Sequence, residues 1–115
     1  MARPVKCRRV CAMPEFREFV PAGAEHAEED IELRVDEYEA IRLIDYLGMS
    51  QEEAAAGMEV SRATIQNIYE AARKKLAATL VEGKRLRVSG GVYQICPKGR
   101  HCQGKKCCCH RVEKN

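Results

Sequence analysis

The chain has 115 residues, of which 45% are hydrophobic and 32% are charged. This length excludes a catalytic (β/α)8 barrel, and the balance is typical of a small folded domain with extensions. No apolar run approaches the roughly 18 residues that a membrane-spanning helix needs, and the basic N-terminus lacks the apolar stretch of a secretory signal. We therefore expect a cytoplasmic protein with no membrane partner.

The charges are unevenly distributed, although the net formal charge is only +3. Residues 21–58 contain eleven acidic and two basic side chains, whereas residues 83–115 contain nine basic and one acidic. Residues 1–20 are also basic, with five basic and two acidic side chains. Cationic ends of this kind can collect phosphates, and the alternative is that they only promote solubility.

Residues 1–34 are expected to be an extended basic segment followed by an acidic connector. Pro4, Pro14 and Pro21 interrupt helices, and residues 7–11 have the pattern of a short strand. The first helix is predicted to begin near Asp36, with Glu39 reaching back to its cap, and to end at Gly48. Its apolar face is Ala40, Leu43, Ile44 and Leu47.

Two further helices are predicted on either side of a short turn. Ser50 and Glu53 form a capping box for a helix that ends near Met58, and Ser61 begins a helix that extends to Glu82. A single apolar stripe runs along the last helix, at Ile65, Ile68, Ala72, Leu76 and Leu80. A short capped helix, a tight turn and a second capped helix are typical of a helix-turn-helix.

The beginning of the last helix predicts how such a motif would contact double-stranded DNA. Arg62, Ala63, Gln66 and Asn67 would face the major groove, where arginine pairs with guanine and glutamine or asparagine with adenine. Further along, Arg73 and Lys74 are candidates for phosphate contacts. The alternative is a helical core whose polar face only meets water.

The chain contains a set of short motifs: Arg3-Pro4, Lys6-Cys7-Arg8, Pro21-Ala22-Gly23, Asp36-Glu37, Glu39-Ala40-Ile41-Arg42-Leu43, Ser50-Gln51-Glu52-Glu53-Ala54-Ala55, Val60-Ser61-Arg62, Thr64, Ala72-Arg73-Lys74-Lys75 and Gly90-Gly91-Val92-Tyr93. With these motifs, from about Arg3 to Tyr93, the chain resembles an uncharacterised prokaryotic family of predicted DNA-binding proteins with a helix-turn-helix similar to region four of sigma factors. This resemblance implies DNA binding but no operator or effector. One departure is Glu59, which occupies a turn position that is usually glycine. A non-glycine residue in the left-handed backbone conformation has a steric cost of about 1 kcal/mol.

Residues 84–95 are predicted to form a β-hairpin around Gly90-Gly91, which pairs with the N-terminal strand or another subunit. The predicted fold class is therefore mainly α: a three-helix helix-turn-helix core over residues 35–83, an extended N-terminal segment and a C-terminal β-hairpin. Residues 96–115 form a separate Cys-rich basic tail, which lies beyond the family resemblance.

The Cys-rich tail is a candidate metal site, because thiolates and imidazoles suit zinc or an iron–sulfur cluster. Cys7 and Cys11 would join it if the N-terminal strand lies beside Ile95 and Cys96. The spacing differs from that of a zinc-finger pair, and the alternatives are reversible disulfides or a disordered basic tail. The candidate ligands are Cys96, His101, Cys102, Cys107, Cys108, Cys109 and His110.

Taken together, these features predict a sequence-specific transcriptional regulator that binds double-stranded DNA as a homodimer. Its Cys-rich tail would make it responsive to metal or redox conditions. The alternative is a metal carrier or protein-interaction module in metallocofactor assembly, without DNA binding. The sequence contains no phosphate loop, nucleophile motif or paired-carboxylate site, so an enzyme is not expected.

Overall fold

The computed structural model describes residues 8–23 and 29–96, which form an α/β fold. Its strands and helices, in chain order, are β1 (Arg8–Val10), β2 (Glu18–Phe19), β3 (Asp30–Leu33), α1 (Val35–Ile41), α2 (Gln51–Met58), α3 (Arg62–Glu82), β4 (Arg85–Val88) and β5 (Tyr93–Ile95). Between α1 and α2 the backbone makes a π-helical turn over Arg42–Tyr46, in which the amide of Leu47 donates to the carbonyl of Arg42.

The strands form two small sheets, so the prediction of a mainly α fold was wrong. In one sheet β1 and β5 pair in parallel, with Val10 opposite Ile95. In the other, β4 lies between β2 and β3, antiparallel to β2 and parallel to β3. The N-terminal residues predicted to be extended thus supply two strands, and the predicted acidic connector supplies a third, because each can pair with a strand from residues 85–95.

The predicted C-terminal hairpin was also wrong, since β4 and β5 belong to different sheets. The chain between them crosses the beginning of α1, where the carbonyl of Gly90 accepts a hydrogen bond from the amide of Val35 at 3.1 Å. Gly91 has a φ of 94°, and a Cβ there would lie 3.0 Å from both Arg34 Cβ and Asp36 Oδ1. The two glycines therefore permit a close crossing over α1 in place of a tight hairpin turn.

The helices enclose one of two apolar clusters. α2 contributes Ala54, Ala55 and Met58, whose small or unbranched side chains allow α3 to approach closely. Facing them are Ile65 and Ile68 of α3, together with Ala40, Leu43 and Leu47 from α1 and the segment after it. The predicted stripe of α3 is confirmed from Ile65 to Ala72, but Leu80 at its end is 84% exposed.

The second cluster joins the sheets to α3. Leu86 and Val88 alternate with outward-facing arginines along β4, and their side chains pack with Val10 of β1 and Ala72 of α3. The sequence shows the same alternation. However, Leu86 and Val88 face a core shared with β1 and α3, and not the inside of a hairpin. Strands β1, β3 and β4 thus share one apolar core with the long helix.

α1 contains an unusual set of three buried acids, Asp36, Glu37 and Glu39. Its first turn is capped by Glu37, whose Oε1 accepts from the Arg34 amide at 2.9 Å, so the predicted box of Asp36 and Glu39 was wrong. Glu37 also accepts from Lys75 Nζ at 2.8 Å. Asp36 and Glu39 are fully buried and have ion pairs with Arg34 at 3.2 Å and Arg42 at 2.9 Å, respectively. Buried carboxylates need such partners, because an unpaired charge in the interior is costly.

Candidate nucleic-acid interface

The segment from Ser50 to Tyr69 contains two capped helices joined by three residues. Ser50 Oγ accepts from the Glu53 amide at 3.0 Å, while Glu53 Oε1 accepts from the Ser50 amide at 2.9 Å. Ser61 Oγ accepts from the Thr64 amide at 3.1 Å. Both predicted helix starts are confirmed, because serine caps are short-range features that the sequence alone specifies.

The turn between α2 and α3 depends on one strained residue. Glu59 has φ 60° and ψ 44°, and it is the one non-glycine residue with positive φ in the described parts of the chain. Its amide donates to the carbonyl of Ala56 at 3.2 Å, and Val60 donates to the carbonyl of Ala55 at 2.9 Å. The left-handed geometry expected here is therefore present, despite the absence of glycine.

The first two turns of α3 have distinct apolar and polar sides. Ile65 and Ile68 are buried against α2, whereas Arg62, Ala63, Gln66 and Asn67 are all exposed. These four residues were the predicted base-contacting set, and the structure places them on the solvent side of a single helix. The turn-by-turn spacing of a helix brings Arg62 near Gln66 and Ala63 near Asn67. We call these four residues the exposed α3 face.

The two predicted phosphate contacts differ in their surroundings. Arg73 Nε lies 3.7 Å from Asp45 Oδ2, and its guanidinium lies 5.4 Å from the centre of the Tyr69 ring. Its side chain is nevertheless 62% exposed. Lys74 is exposed, and no carboxylate of residues 8–23 or 29–96 forms an ion pair with it. Lys74 is thus available to an anion, and Arg73 is held by an exposed pair of the kind that contributes little to stability.

Tyr69 joins α3 to the π-helical turn. Its hydroxyl donates to Asp45 Oδ1 at 2.7 Å. Burial raises the pKa of Tyr69 above its ordinary value, and the hydrogen bond to Asp45 and the negative charge of that carboxylate raise it further. The phenol therefore stays protonated and keeps donating at neutral pH. Tyr69, Asp45 and Arg73 form a small polar group at the edge of the exposed α3 face.

The local charge differs between the two helix beginnings. α2 has Glu52 and Glu53 in its first turn, whereas α3 begins with Arg62-Ala63-Thr64. The beginning of a helix has a partial positive charge, which acidic residues satisfy in α2. In α3, an arginine adds to this charge instead. The beginning of α3 is therefore the more favourable of the two for an anion.

A contact that the sequence did not predict connects this motif to β1. Arg9 Nη1 lies 3.1 Å from Glu59 Oε2, so the first strand is attached to the turn. Close by in the chain, the Cys11 amide donates to Glu39 Oε2 at 3.1 Å. Arg9 and Glu59 are separated by 50 positions, and no pattern within either segment indicates their pairing.

The cysteines were the second predicted site. Cys96 is 6% exposed, and its amide donates to the carbonyl of Val10 at 2.8 Å. Cys11, which the sequence left as an open alternative, is 3% exposed at the corresponding end of β1. Within the described ranges, no three metal-binding side chains converge. The other predicted ligands, His101, Cys102, Cys107, Cys108, Cys109 and His110, lie outside the described residues, as does Cys7.

Comparison with known sequences identifies the family. A family described as "Protein of unknown function DUF134" matches residues 1–96. The chain belongs to this family. A UPF0251 protein of Desulfitobacterium hafniense (strain Y51) is 50% identical over 97 residues, which cover 84% of this chain and 78% of the relative. A UPF0251 protein of Clostridium novyi (strain NT) is 45% identical over 113 residues, or 97% of this chain and 74% of the relative.

Family membership confirms the coarser part of the resemblance and assigns no activity. A third relative, the UPF0251 protein of Halothermothrix orenii (strain H 168), is 50% identical over 96 residues, covering 83% of this chain and 71% of the relative. No solved structure matches the chain. Among the described residues, no helix is both long enough and apolar enough to cross a membrane.

Proposed function

We propose that the protein is a sequence-specific DNA-binding transcriptional regulator in which α2, the turn at Glu59 and α3 act as a helix-turn-helix similar to region four of sigma factors. The observation that carries this proposal is the exposed α3 face at the beginning of a 21-residue helix. In helix-turn-helix proteins the early residues of the second helix enter the major groove, while the first helix crosses the backbone.

The side chains of the exposed α3 face have the chemistry that base reading requires. Arg62 can donate two hydrogen bonds to guanine, and Gln66 and Asn67 can each pair with adenine. Ala63 is small enough to let the helix approach a thymine methyl group. The apolar residues Ile65 and Ile68 lie on the opposite side of α3, so they hold the helix in place without competing for the groove.

Affinity would come from phosphate contacts beside the exposed α3 face. Lys74 is free of ion pairs within the described residues, and Arg73 can exchange its exposed contact with Asp45 for a phosphate. Each such contact releases counterions from the duplex, so binding should weaken as salt concentration rises. The acidic residues at the beginning of α2 disfavour a close approach of that end to the backbone.

We also propose that the protein binds as a homodimer. One exposed α3 face offers only a few base contacts, and helix-turn-helix dimers obtain specificity from two half-sites about 34 Å apart. The far end of α3 exposes Leu80 and Val81, each to 84%, so it offers an apolar surface for a second copy. Sedimentation of the full chain should give a dimer mass, and Leu80→Lys should shift it to the monomer.

The proposal is tested by selecting DNA from a random-sequence pool with the full chain. We expect an enriched sequence whose affinity falls as salt is raised, and whose enrichment disappears in the triple variant Arg62→Ala, Gln66→Ala, Asn67→Ala. Alanine favours helix, so α3 should persist in this variant. Arg17→Ala, which removes an exposed arginine before β2, is the matched control and should retain selection. Failure to enrich any sequence at any salt concentration would contradict the proposal.

A further inference from the structure

Glu59 places a negative charge in the turn that precedes the exposed α3 face. It is the one acidic residue in the sequence between Glu53 and Glu70, and it stands three positions before Arg62. The first turn of α3 contains no acidic residue, and the side chain of Glu59 is exposed. A free carboxylate at this position would offset the partial positive charge of the helix start and repel the phosphates of an approaching duplex.

Arg9 meets this carboxylate from β1. Its Nη1 lies 3.1 Å from Oε2 of Glu59, and within the described part of the chain no other basic side chain forms an ion pair with Glu59. Arg9 lies opposite Gln94 of β5, and the next residue, Val10, is fully buried. Because side chains alternate along a strand, the burial of Val10 in the core directs Arg9 to the other face. The ion pair thus depends on strand pairing and core packing outside the helix-turn-helix.

The ion pair between Arg9 and Glu59 is of a kind that contributes little to folding, because its side chains are 35% and 46% exposed. We propose that Arg9 is a positioning residue for DNA binding, which holds the Glu59 carboxylate against β1 and neutralises it there. The phosphate backbone can then approach the beginning of α3 without meeting a free negative charge. This inference rests on the proposed function, because it concerns the approach of the same duplex to the same helix.

A double-mutant cycle on the full chain tests this role, with fluorescence anisotropy of a labelled duplex of mixed sequence as the measure of affinity. We expect Arg9→Gln to weaken binding roughly fivefold at low salt, because it releases the Glu59 carboxylate. Glu59→Gln should tighten binding roughly fivefold when Arg9→Gln is also present, so that the double variant regains wild-type affinity. In the otherwise wild-type chain, Glu59→Gln should change affinity by less than about twofold, because the carboxylate is already held against β1.

Two further variants and a salt series separate this role from a structural one. Arg17→Gln removes an exposed arginine that forms no ion pair within the described ranges, so it is the matched control and should weaken binding by less than about twofold. Arg9→Lys keeps the positive charge and should retain the wild-type affinity. The deficit of Arg9→Gln should shrink as salt concentration rises, because salt screens the repulsion, whereas a damaged turn would leave a deficit that salt does not change.

The outcomes that overturn the positioning role differ from failure of the proposed function. A double variant that binds as weakly as Arg9→Gln would show that Arg9 contacts a phosphate directly. An equal effect of Glu59→Gln with and without Arg9 would show that the two charges act independently. In both cases the wild-type chain still binds DNA, so only the role of Arg9 is lost. A wild-type chain that does not bind the duplex at any salt concentration would overturn both proposals.

Discussion

Arg9 of β1 and Glu59 of the turn between α2 and α3 form an ion pair with a 3.1 Å separation between Nη1 and Oε2. The two side chains are 35% and 46% exposed, so the pair contributes little to stability by itself. Its consequence is positional, because it attaches the first strand to the residue with the least favourable backbone geometry in the motif.

The left-handed conformation of Glu59 predicts an unusual response to substitution. Glu59→Ala and Glu59→Gly both remove the carboxylate that meets Arg9, but only glycine adopts φ 60° without steric cost. We expect the glycine variant to be more stable than the alanine variant by about 1 kcal/mol in the free energy of unfolding. Urea denaturation monitored by circular dichroism measures this difference. An alanine variant at least as stable as the glycine variant would show that the turn is not strained.

The serine cap of α3 gives a second stability prediction. Ser61→Ala leaves the Thr64 amide without its acceptor, so we expect a loss of about 1 kcal/mol in the free energy of unfolding. Ser89→Ala is the matched control, because the Ser89 hydroxyl donates to the exposed Glu32 and caps no helix. The control should change stability by less than about 0.5 kcal/mol. Equal losses of unfolding free energy in Ser61→Ala and Ser89→Ala would contradict the assignment of Ser61 as the cap of α3.

Glu39 is the buried carboxylate whose removal should be most damaging. It accepts from the Cys11 amide and from Arg42, so Glu39→Ala removes one acceptor from a backbone amide and one from a partly buried cation. We expect a loss of about 3 kcal/mol or failure to fold. Glu70→Ala, an exposed acid on α3, should change the free energy of unfolding by less than about 0.5 kcal/mol. A Glu39→Ala variant as stable as this control would contradict the structure at β1 and α1.

The contact between Tyr69 and Asp45 predicts a pH dependence at alkaline pH. Because the pKa of Tyr69 is raised in the folded state, its stabilising contribution is complete below the unfolded-state pKa of about 10. The contribution is lost as the pH rises from that value through the folded-state pKa. Tyr69→Phe should therefore be less stable than wild type at pH 8, and the difference should narrow above pH 10. Tyr46→Phe, at a residue that is 79% exposed, should follow the wild-type profile.

Short-range features of the sequence predicted local structure well. The Ser50–Glu53 box and the Ser61 cap fixed the beginnings of α2 and α3, because each involves residues three positions apart. The same reasoning misplaced the cap of α1, where Glu37 and not Glu39 reaches back. By spacing alone, either acid could reach back to a helix cap. Their different long-range contacts distinguish them, because Glu37 accepts from Lys75 and Glu39 accepts from the Cys11 amide.

Long-range pairing was predicted from the sequence only in part, because the N-terminal strand does lie beside Ile95 as expected, whereas the partners of β4 were not predicted. The predicted hairpin over residues 84–95 included the strand that contains Leu86 and Val88, but the partners of that strand come from residues 18–19 and 30–33. The two glycines at 90 and 91 favour a hairpin locally, and the decisive interaction is the bond from Val35 to Gly90. For the candidate site, the exposed α3 face was predictable from helical spacing, whereas the contact between Arg9 and Glu59 was not.

The most direct test of the proposed interface is base discrimination by single substitutions on the selected DNA. Asn67→Ala should abolish discrimination at one adenine. The binding free energy should weaken by about 1–3 kcal/mol for the preferred duplex and change little for duplexes with another base at that position. Lys74→Ala should weaken binding to DNA of every sequence by a similar factor. It should also reduce the salt dependence of the affinity by about one released counterion. Fluorescence anisotropy of matched and singly mismatched duplexes measures both effects. An Asn67→Ala variant with unchanged preference at every position would contradict the assignment of the exposed α3 face to the major groove.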